Sequence, residues 1–333
     1  MAWMAPIRCR YGPKAGHDRC GYAIYNRPMD EFELIAKYFA PLAGEGAFGL
    51  KDDAAILPVR AGHDLIVTTD TIAEGTDFFP SDPPDTVAQK ALRVNLSDLA
   101  AKGAEPAYYL LNLTLPHAVR EDWLAAFTAG LARDQKQFGL SLLGGDTGAG
   151  LLAVTITAFG SVPQGAMVKR SGARIGDAVY VTGPIGDSGG GLALLKEQKR
   201  ATDDAGSDYL IGRYRVPQPP VSFAADLRAI AHAGVDVSDG LIADLGHIAS
   251  ASGVGIVVEG EQVPLSEPLK ALWGDDALLR AVAAGDDYQI AFTAPPGLVG
   301  PFTQMGWVEN GQGVRLLLNG KLVTVSKTGY THF

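Results

Sequence analysis

The chain has 333 residues, 47% of them hydrophobic and 20% charged, with a formal net charge of −9. That length accommodates two domains, each with its own core, and the composition excludes a disordered or fibrous chain. No apolar run approaches the roughly 20 residues that span a bilayer, and no basic cluster offers a nucleic-acid footprint. The expected partners are therefore neither membrane nor nucleic acid, and the expected compartment is cytoplasmic.

Residues 1–28 mix Arg, Gly, Pro and His without the apolar segment of a signal peptide, and read as a poorly ordered extension. Both cysteines, Cys9 and Cys20, fall within it, so the main body has no disulfide, no Cys-rich zinc site and no cysteine nucleophile. Phe32, Ile35, Phe39 and Leu42 recur at helical spacing and predict a helix over 30–42. Residues 64–70 (DLIVTTD) predict a strand ending in an acid. A long helix follows over 85–102, N-capped by Asp85 and stopped at Gly103. Ala88, Leu92, Leu96 and Leu99 make its apolar stripe, with Ala91, Asn95, Asp98 and Lys102 beside them as a polar one. Strands are expected over 108–115, 140–143 and 152–160, with a helix over 121–138.

Periodicity fades over 161–176, and the division falls there: 29–165 as one domain and 166–333 as the other. The second half predicts a strand over 178–182, a Gly-rich loop, and a helix from about Gly190. Further helices are expected over 221–233, 239–252 and 266–283, with strands over 254–259 and 288–293. Asn319-Gly320 between apolar runs predicts a type I′ hairpin. Mixed helices and strands in both halves indicate two α/β or α+β domains.

Several acids share one context, beside glycine, threonine or another acid: Asp52-Asp53, Asp70, Asp146, and the pair Asp236 and Asp239. Asp98 joins them from the polar helix stripe. An isolated Asp of this kind is ordinarily a turn or cap residue. Their repetition instead suits magnesium, which takes oxygen ligands, one or two carboxylates per ion, and shares phosphate oxygens. An acidic protein that binds a triphosphate needs such cations. The sequence contains no GxxxxGKS/T, no HRD or DFG kinase set, no HExxH and no GxSxG. Gly189 and Gly191 follow the strand at too great a distance for a dinucleotide fingerprint, and Leu194 fills its third small position.

The series GLKDDAAIL, TTDTIAEG, KALRVNLSDLAAKGA, LLGGDTG, KRSGARIGDAVYVTG, VDVSDGLIADLGH and AGDDYQIAF, with the ending KTGYTHF, strongly resembles the thiamine-monophosphate kinases. The segments occur in that family's order and cover nearly all of 29–333. The resemblance implies the two-domain fold of the aminoimidazole-ribonucleotide-synthetase superfamily, with an N-terminal domain that dimerises through its sheet and a C-terminal α/β domain. It implies a homodimer that uses ATP and several Mg²⁺ ions to phosphorylate thiamine monophosphate to thiamine diphosphate. Carried over by position, it gives metal roles to Asp53, Thr68, Thr69, Asp70, Asp98, Asp146, Asp236 and Asp239. It gives nucleotide contacts to Gly145, Asp146, Arg170 and Ser238, and acceptor contacts to Asp77, Asp286 and Tyr330. Asp146, Arg170 and Asp239 stand nearest the chemistry. Lys90 is added as a phosphate partner, against the plainer reading of a solvated helix lysine.

Four positions depart from the family pattern. Asp77 stands where His is usual, Asp286 and Gln289 stand where Glu is usual, and Gly148 ends a motif that usually ends in Thr. The metal positions are thus better matched than the acceptor positions. Other readings are another ATP-using superfamily member, such as a cyclo-ligase, a selenophosphate synthetase or a hydrogenase-maturation protein, a non-catalytic ATP/Mg²⁺-binding regulator, and a nicotinamide-dependent dehydrogenase on Gly189 and Gly191. Cys9 and Cys20 lie in the wrong context for the synthetase, and the C-terminal Phe333 lacks the cysteine of the hydrogenase-maturation proteins.

Overall fold

The computed structural model describes residues 31–116, 120–197, 203–325 and 329–330. The expected extension over 1–28 lies outside the described residues.

The first half is one four-stranded sheet with its helices. Helix α1 (Glu31–Leu34) runs into a π turn over Ile35–Phe39 and a 3₁₀ turn over Ala40–Leu42. The wider π turn rotates the buried face. Phe39 and Leu42 are buried as expected, but Leu34 and Tyr38 replace Phe32, which is 80% exposed. Next come β1 (His63–Ala73), α2 (Pro84–Ala101), β2 (Glu105–Leu115), α3 (Glu121–Phe138), β3 (Ser141–Ala149) and β4 (Ala153–Pro163). The strand order is β1-β4-β2-β3, antiparallel except for the β2–β3 pair. Asp85 is not the N-cap of α2. The helix starts at Pro84, whose ring suits a first-turn position, and the Asp85 carboxylate instead takes Arg133 of α3 at 2.5 Å.

The apolar stripe of α2 (Ala88, Leu92, Leu96 and Leu99) is fully buried in the core under this sheet. A neighbouring face of α2 bonds to the second half. Lys90 Nζ reaches Asp286, Arg93 reaches the Pro217 carbonyl, Ser97 reaches Asp236, and Lys102 at the C-cap reaches the Gly234 carbonyl. Ala100 and Ala101 pack into the same cluster as Phe223 and Phe292. One helix therefore serves both cores.

The second half contains β5 (Ala178–Val181), α4 (Asp187–Glu197), α5 (Asp204–Arg215), α6 (Ala224–Ile230), β6 (Ala233–Asp236), α7 (Leu241–Ser252), β7 (Gly255–Glu259), α8 (Glu267–Trp273), α9 (Ala277–Ala281), β8 (Ile290–Ala294), β9 (Thr303–Glu309), β10 (Gly313–Leu318) and β11 (Lys321–Val323). Its seven strands run β11-β10-β7-β9-β5-β8-β6. The hairpin forms as expected: Asn319 and Gly320 take φ of 51° and 70°, the two left-handed positions of a type I′ turn. Two long helix readings are corrected. The segment 221–233 ends its helix at Ile230 and gives Ala233 to β6, while 266–283 divides into α8, a 3₁₀ turn over Gly274–Asp276, and α9.

The Gly-rich loop is also corrected. Gly189 and Gly191 lie inside α4, where a Cβ on Gly189 would come within 2.5 Å of Ala284 and one on Gly191 within 2.1 Å of the Leu210 carbonyl. Close helix packing, not loop freedom, requires them.

Candidate functional site

Alternation along β1 places Thr68, Asp70 and Ile72 on the face toward α2, and Val67, Thr69 and Thr71 on the open face of the sheet. Two turns into α2 beyond Lys90, Asp98 meets the inner set: Thr68 Oγ1 donates to Asp98 Oδ2 at 2.5 Å. From the second half, Asp236 at the end of β6 is buried and accepts the Ser97 hydroxyl at 2.8 Å. Burial and the Asp98 charge raise Asp70 to about 6. The same two causes raise Asp236 to about 8, although the Ser97 bond opposes them. Lys102 offsets part of this charge, and its own pKa is lowered by burial. Desolvated carboxylates that repel one another, together with a hydroxyl, form an all-oxygen set suited to a hard divalent cation.

Around this group lies a cleft of about 930 Å³ between the two halves, lined by Asp70, Asp98, Arg170, Asp236, Ser238 and Asp239, and also by Lys90, Asp77, Asp286 and Tyr330. Ten of the sequence-derived residues thus line one space. Thr68 stands immediately behind it through its bond to Asp98.

Four others fall elsewhere. The Thr69 hydroxyl is on the open sheet face, 3.0 Å from the Thr157 hydroxyl. Register places Thr71, Thr155, Asn112 and Asp146 in one row across that face. Asp146 is within β3, not in a turn, and with Gly145 and Asp53 it lines a second cavity of about 330 Å³. Position 145 requires glycine, because φ is 150° and a Cβ there would lie 1.7 Å from the Leu111 carbonyl oxygen.

The turn 238–240 is shaped by a residue the sequence reading passed over. Asp244, six positions beyond Ser238 in α7, accepts the backbone N–H groups of Ser238, Asp239 and Gly240 through Oδ2 at 3.0, 3.0 and 3.1 Å. Burial raises its carboxyl to about 7 in spite of these donors. Ligand atoms of Asp239, Asp244 and His247 lie within 4.8 Å of one another. The signal was present in SDGLIAD, where an acid in the first turn of α7 folds back on the helix start.

At the other end of the cleft, Asp77 closes a turn: Oδ2 accepts the Ala73 N–H at 2.8 Å, and the Asp77 N–H donates to the Ala73 carbonyl at 2.9 Å. Asp286 has φ of 66° and is fixed by its N–H to the Ser238 carbonyl at 2.8 Å. Lys90 corrects its plainer reading: it is only 2% exposed, so it is not solvated, and its ammonium donates to the Asp77 carbonyl and to the Asp286 carboxylate. Tyr330, 45% exposed, anchors its N–H on the Asp239 carbonyl at 2.9 Å. Among the described residues no helix is long and apolar enough to cross a membrane.

Two sheet domains joined along a helix, with carboxylates from both facing one cleft, define an AIR synthase related protein. The family's N-terminal domain model matches residues 51–162 and its C-terminal domain model residues 174–314. The thiamine-monophosphate kinase of Salmonella typhimurium (strain LT2) is 41% identical over 319 residues, which is 91% of this chain and 98% of that protein. The crystal structure of thiamine-monophosphate kinase from Stenotrophomonas maltophilia K279a is similar with a TM-score of 0.77 and 40% identity, over 82% of this chain and 91% of that one. The structure of AaThiL complexed with AMPPCP and TMP has a TM-score of 0.76 at 31% identity, over 94% of this chain and all of that one (100%). The chain belongs to the thiamine-monophosphate kinase family.

Proposed function

We propose that this enzyme transfers the γ-phosphoryl group of ATP to thiamine monophosphate, giving thiamine diphosphate and ADP. An oxygen of the acceptor phosphate attacks the γ-phosphorus as the bond to the β–γ bridging oxygen breaks. The observation that carries the reading is the shared cleft, in which Asp70, Asp98, Asp236 and Asp239 stand at one part and Asp77, Asp286 and Tyr330 line the same space.

The nucleophile is already an anion, so no strong general base is needed. The obstacle is bringing two anions together in an acidic cleft, and positioning with charge neutralisation supplies most of the catalysis. Mg²⁺ bound at Thr68, Asp70, Asp98, Asp236 and Asp239 would neutralise phosphate charge. Arg170 presents a guanidinium fork to the nucleotide phosphates from the cleft wall, and Ser238 a hydroxyl. Asp53, Thr69 and Asp146 are the remaining proposed metal residues, with Gly145 and Asp146 at the nucleotide, and they work from the open sheet face and its edge. Tyr330 offers an aromatic face to the cationic heterocycle, with Asp77 and Asp286 as oriented acceptors.

The same open face, with Val67 52% exposed and threonines beside it, is the proposed dimer interface. The proposed domain division is 29–165 and 166–333, and the proposed compartment is cytoplasmic. Incubation with ATP, Mg²⁺ and thiamine monophosphate tests the activity. Thiamine diphosphate and ADP in equal amounts are expected, and ADP without thiamine diphosphate would refute the reading.

A further inference from the structure

Lys90 lies about two helical turns before Asp98, the residue of α2 that faces the metal side, yet its side chain is committed to the acceptor side. Its Nζ donates to the Asp77 carbonyl at 2.8 Å and to Asp286 Oδ2 at 3.0 Å, and it lies 3.8 Å from the centre of the Tyr214 ring. An ammonium has three donors. Two end on oxygens, and the Tyr214 ring lies beside the ammonium. Tyr214 of α5 strengthens the arrangement by donating its own hydroxyl to the same Asp77 carbonyl at 2.9 Å. Tyr288 donates to the other Asp286 oxygen, Oδ1, at 3.2 Å.

The consequence is geometric. Asp77 is in the turn after β1 and Asp286 in the loop before β8, in opposite halves of the chain, and Lys90 is bonded to both. Asp286 is a non-glycine residue in the left-handed region, a backbone state that neighbours have to impose. Its carboxylate is one-third exposed, at 34%, so it presents one edge to the cleft while Lys90 and Tyr288 hold the group's orientation.

We infer that Lys90 is a positioning residue for the acceptor, bracing Asp77 and Asp286 across the cleft in the arrangement that receives thiamine monophosphate. The inference rests on the proposed acceptor, and its role is in acceptor affinity, not nucleotide affinity. Lys90→Met removes the charge while keeping most of the stem. The fold survives, because Asp286 is open to water and the Asp77 carbonyl keeps Tyr214.

In Lys90→Met, amide exchange of segments 73–78 and 283–289 rises above wild type while the rest of α2 is unchanged. The KM for thiamine monophosphate rises about tenfold, as loss of a charged hydrogen bond predicts, while that for ATP moves less than about twofold. In the Asp286→Asn background the same substitution changes the acceptor KM much less, because its partner's charge is already gone. Unchanged exchange in both segments overturns the positioning role whatever the acceptor is. Equal increases in both KM values, or full additivity of the two substitutions, overturn the action through Asp286. Failure of the wild type to phosphorylate thiamine monophosphate refutes the acceptor assignment, and the exchange measurement still decides the bracing.

Discussion

The Ser97 hydroxyl donates to Asp236 Oδ2 at 2.8 Å, joining a helix of the first half to the last residue of a strand in the second. Both partners are buried, so the bond fixes which way the Asp236 carboxylate faces. Ser97→Ala leaves that oxygen without its donor. The expected cost is about 1 kcal/mol of stability, and more in activity than in folding, since an unoriented carboxylate is a poor ligand. Denaturant midpoints alongside turnover check this. A stability loss with full turnover would mean that the bond serves only the domain junction.

Asp98→Asn and Asp239→Asn each should remove activity by about 100-fold or more, because a lost carboxylate leaves metal and phosphate charge unbalanced. Activity should also vanish in chelator and return with Mg²⁺. The purified variants should keep wild-type circular dichroism, since both positions line the cleft. Near wild-type turnover in both would remove the metal assignment.

The sign of the pH dependence follows from the raised carboxyls. Asp70 at about 6 and Asp236 at about 8 hold protons more tightly when folded than when unfolded, where carboxyls titrate near 3.8. Between those values the folded state binds more protons, so stability of the metal-free protein falls as pH rises. From about pH 5 to pH 8 its Tm should decrease, and Mg²⁺ should flatten that slope by favouring the ionised forms. A rising Tm over this range in chelator would contradict the crowding of Asp70, Asp98 and Asp236.

Much of this was legible in the chain, for reasons that are local. Helix 121–138 matches the observed bounds because a clean apolar period ends at Gly139 in the left-handed region. The hairpin was given by Asn319-Gly320. Strand β9 was missed because Gly306 interrupts its pattern, and that glycine exists for a non-local reason: a Cβ there would lie 1.9 Å from the Val257 carbonyl oxygen of the neighbouring strand. At the site, residue types and spacing pointed to the acids, but not to which side of a sheet each one faces. Thr68 and Asp70 differ from Thr69 only by alternation, yet they serve the cleft while Thr69 pairs with Thr157 outside it. Lys90 was misread because its partners are 13 and 196 positions away.

Arg170 lies exposed on the cleft wall just after the first sheet ends. A guanidinium can hold two phosphate oxygens in a fixed plane, and an ammonium cannot. Arg170→Lys should therefore raise the KM for ATP more than that for the acceptor. An unchanged ATP constant would reduce Arg170 to a surface residue of the connection between the halves.

The acceptor side departs most from the family pattern, and there Asp77 has two separable roles. One of its oxygens closes the turn by accepting the Ala73 N–H, while its charge faces a cleft meant for a cationic heterocycle. Asp77→Asn keeps a carbonyl oxygen for Ala73 and deletes the charge. It should leave Tm unchanged and raise the KM for thiamine monophosphate by no more than about tenfold, since a partly exposed charge is commonly worth about 1 kcal/mol. Asp77→His, the residue usual in the family, should likewise keep kcat/KM within about tenfold of wild type. Thiamine itself should give no product with any of these proteins, because it lacks the phosphate oxygen that attacks. Product from thiamine would overturn the phosphate oxygen as nucleophile, and loss of more than a hundredfold in Asp77→His with an unchanged Tm would show that Asp77 selects the acceptor in a way the turn and its charge do not explain.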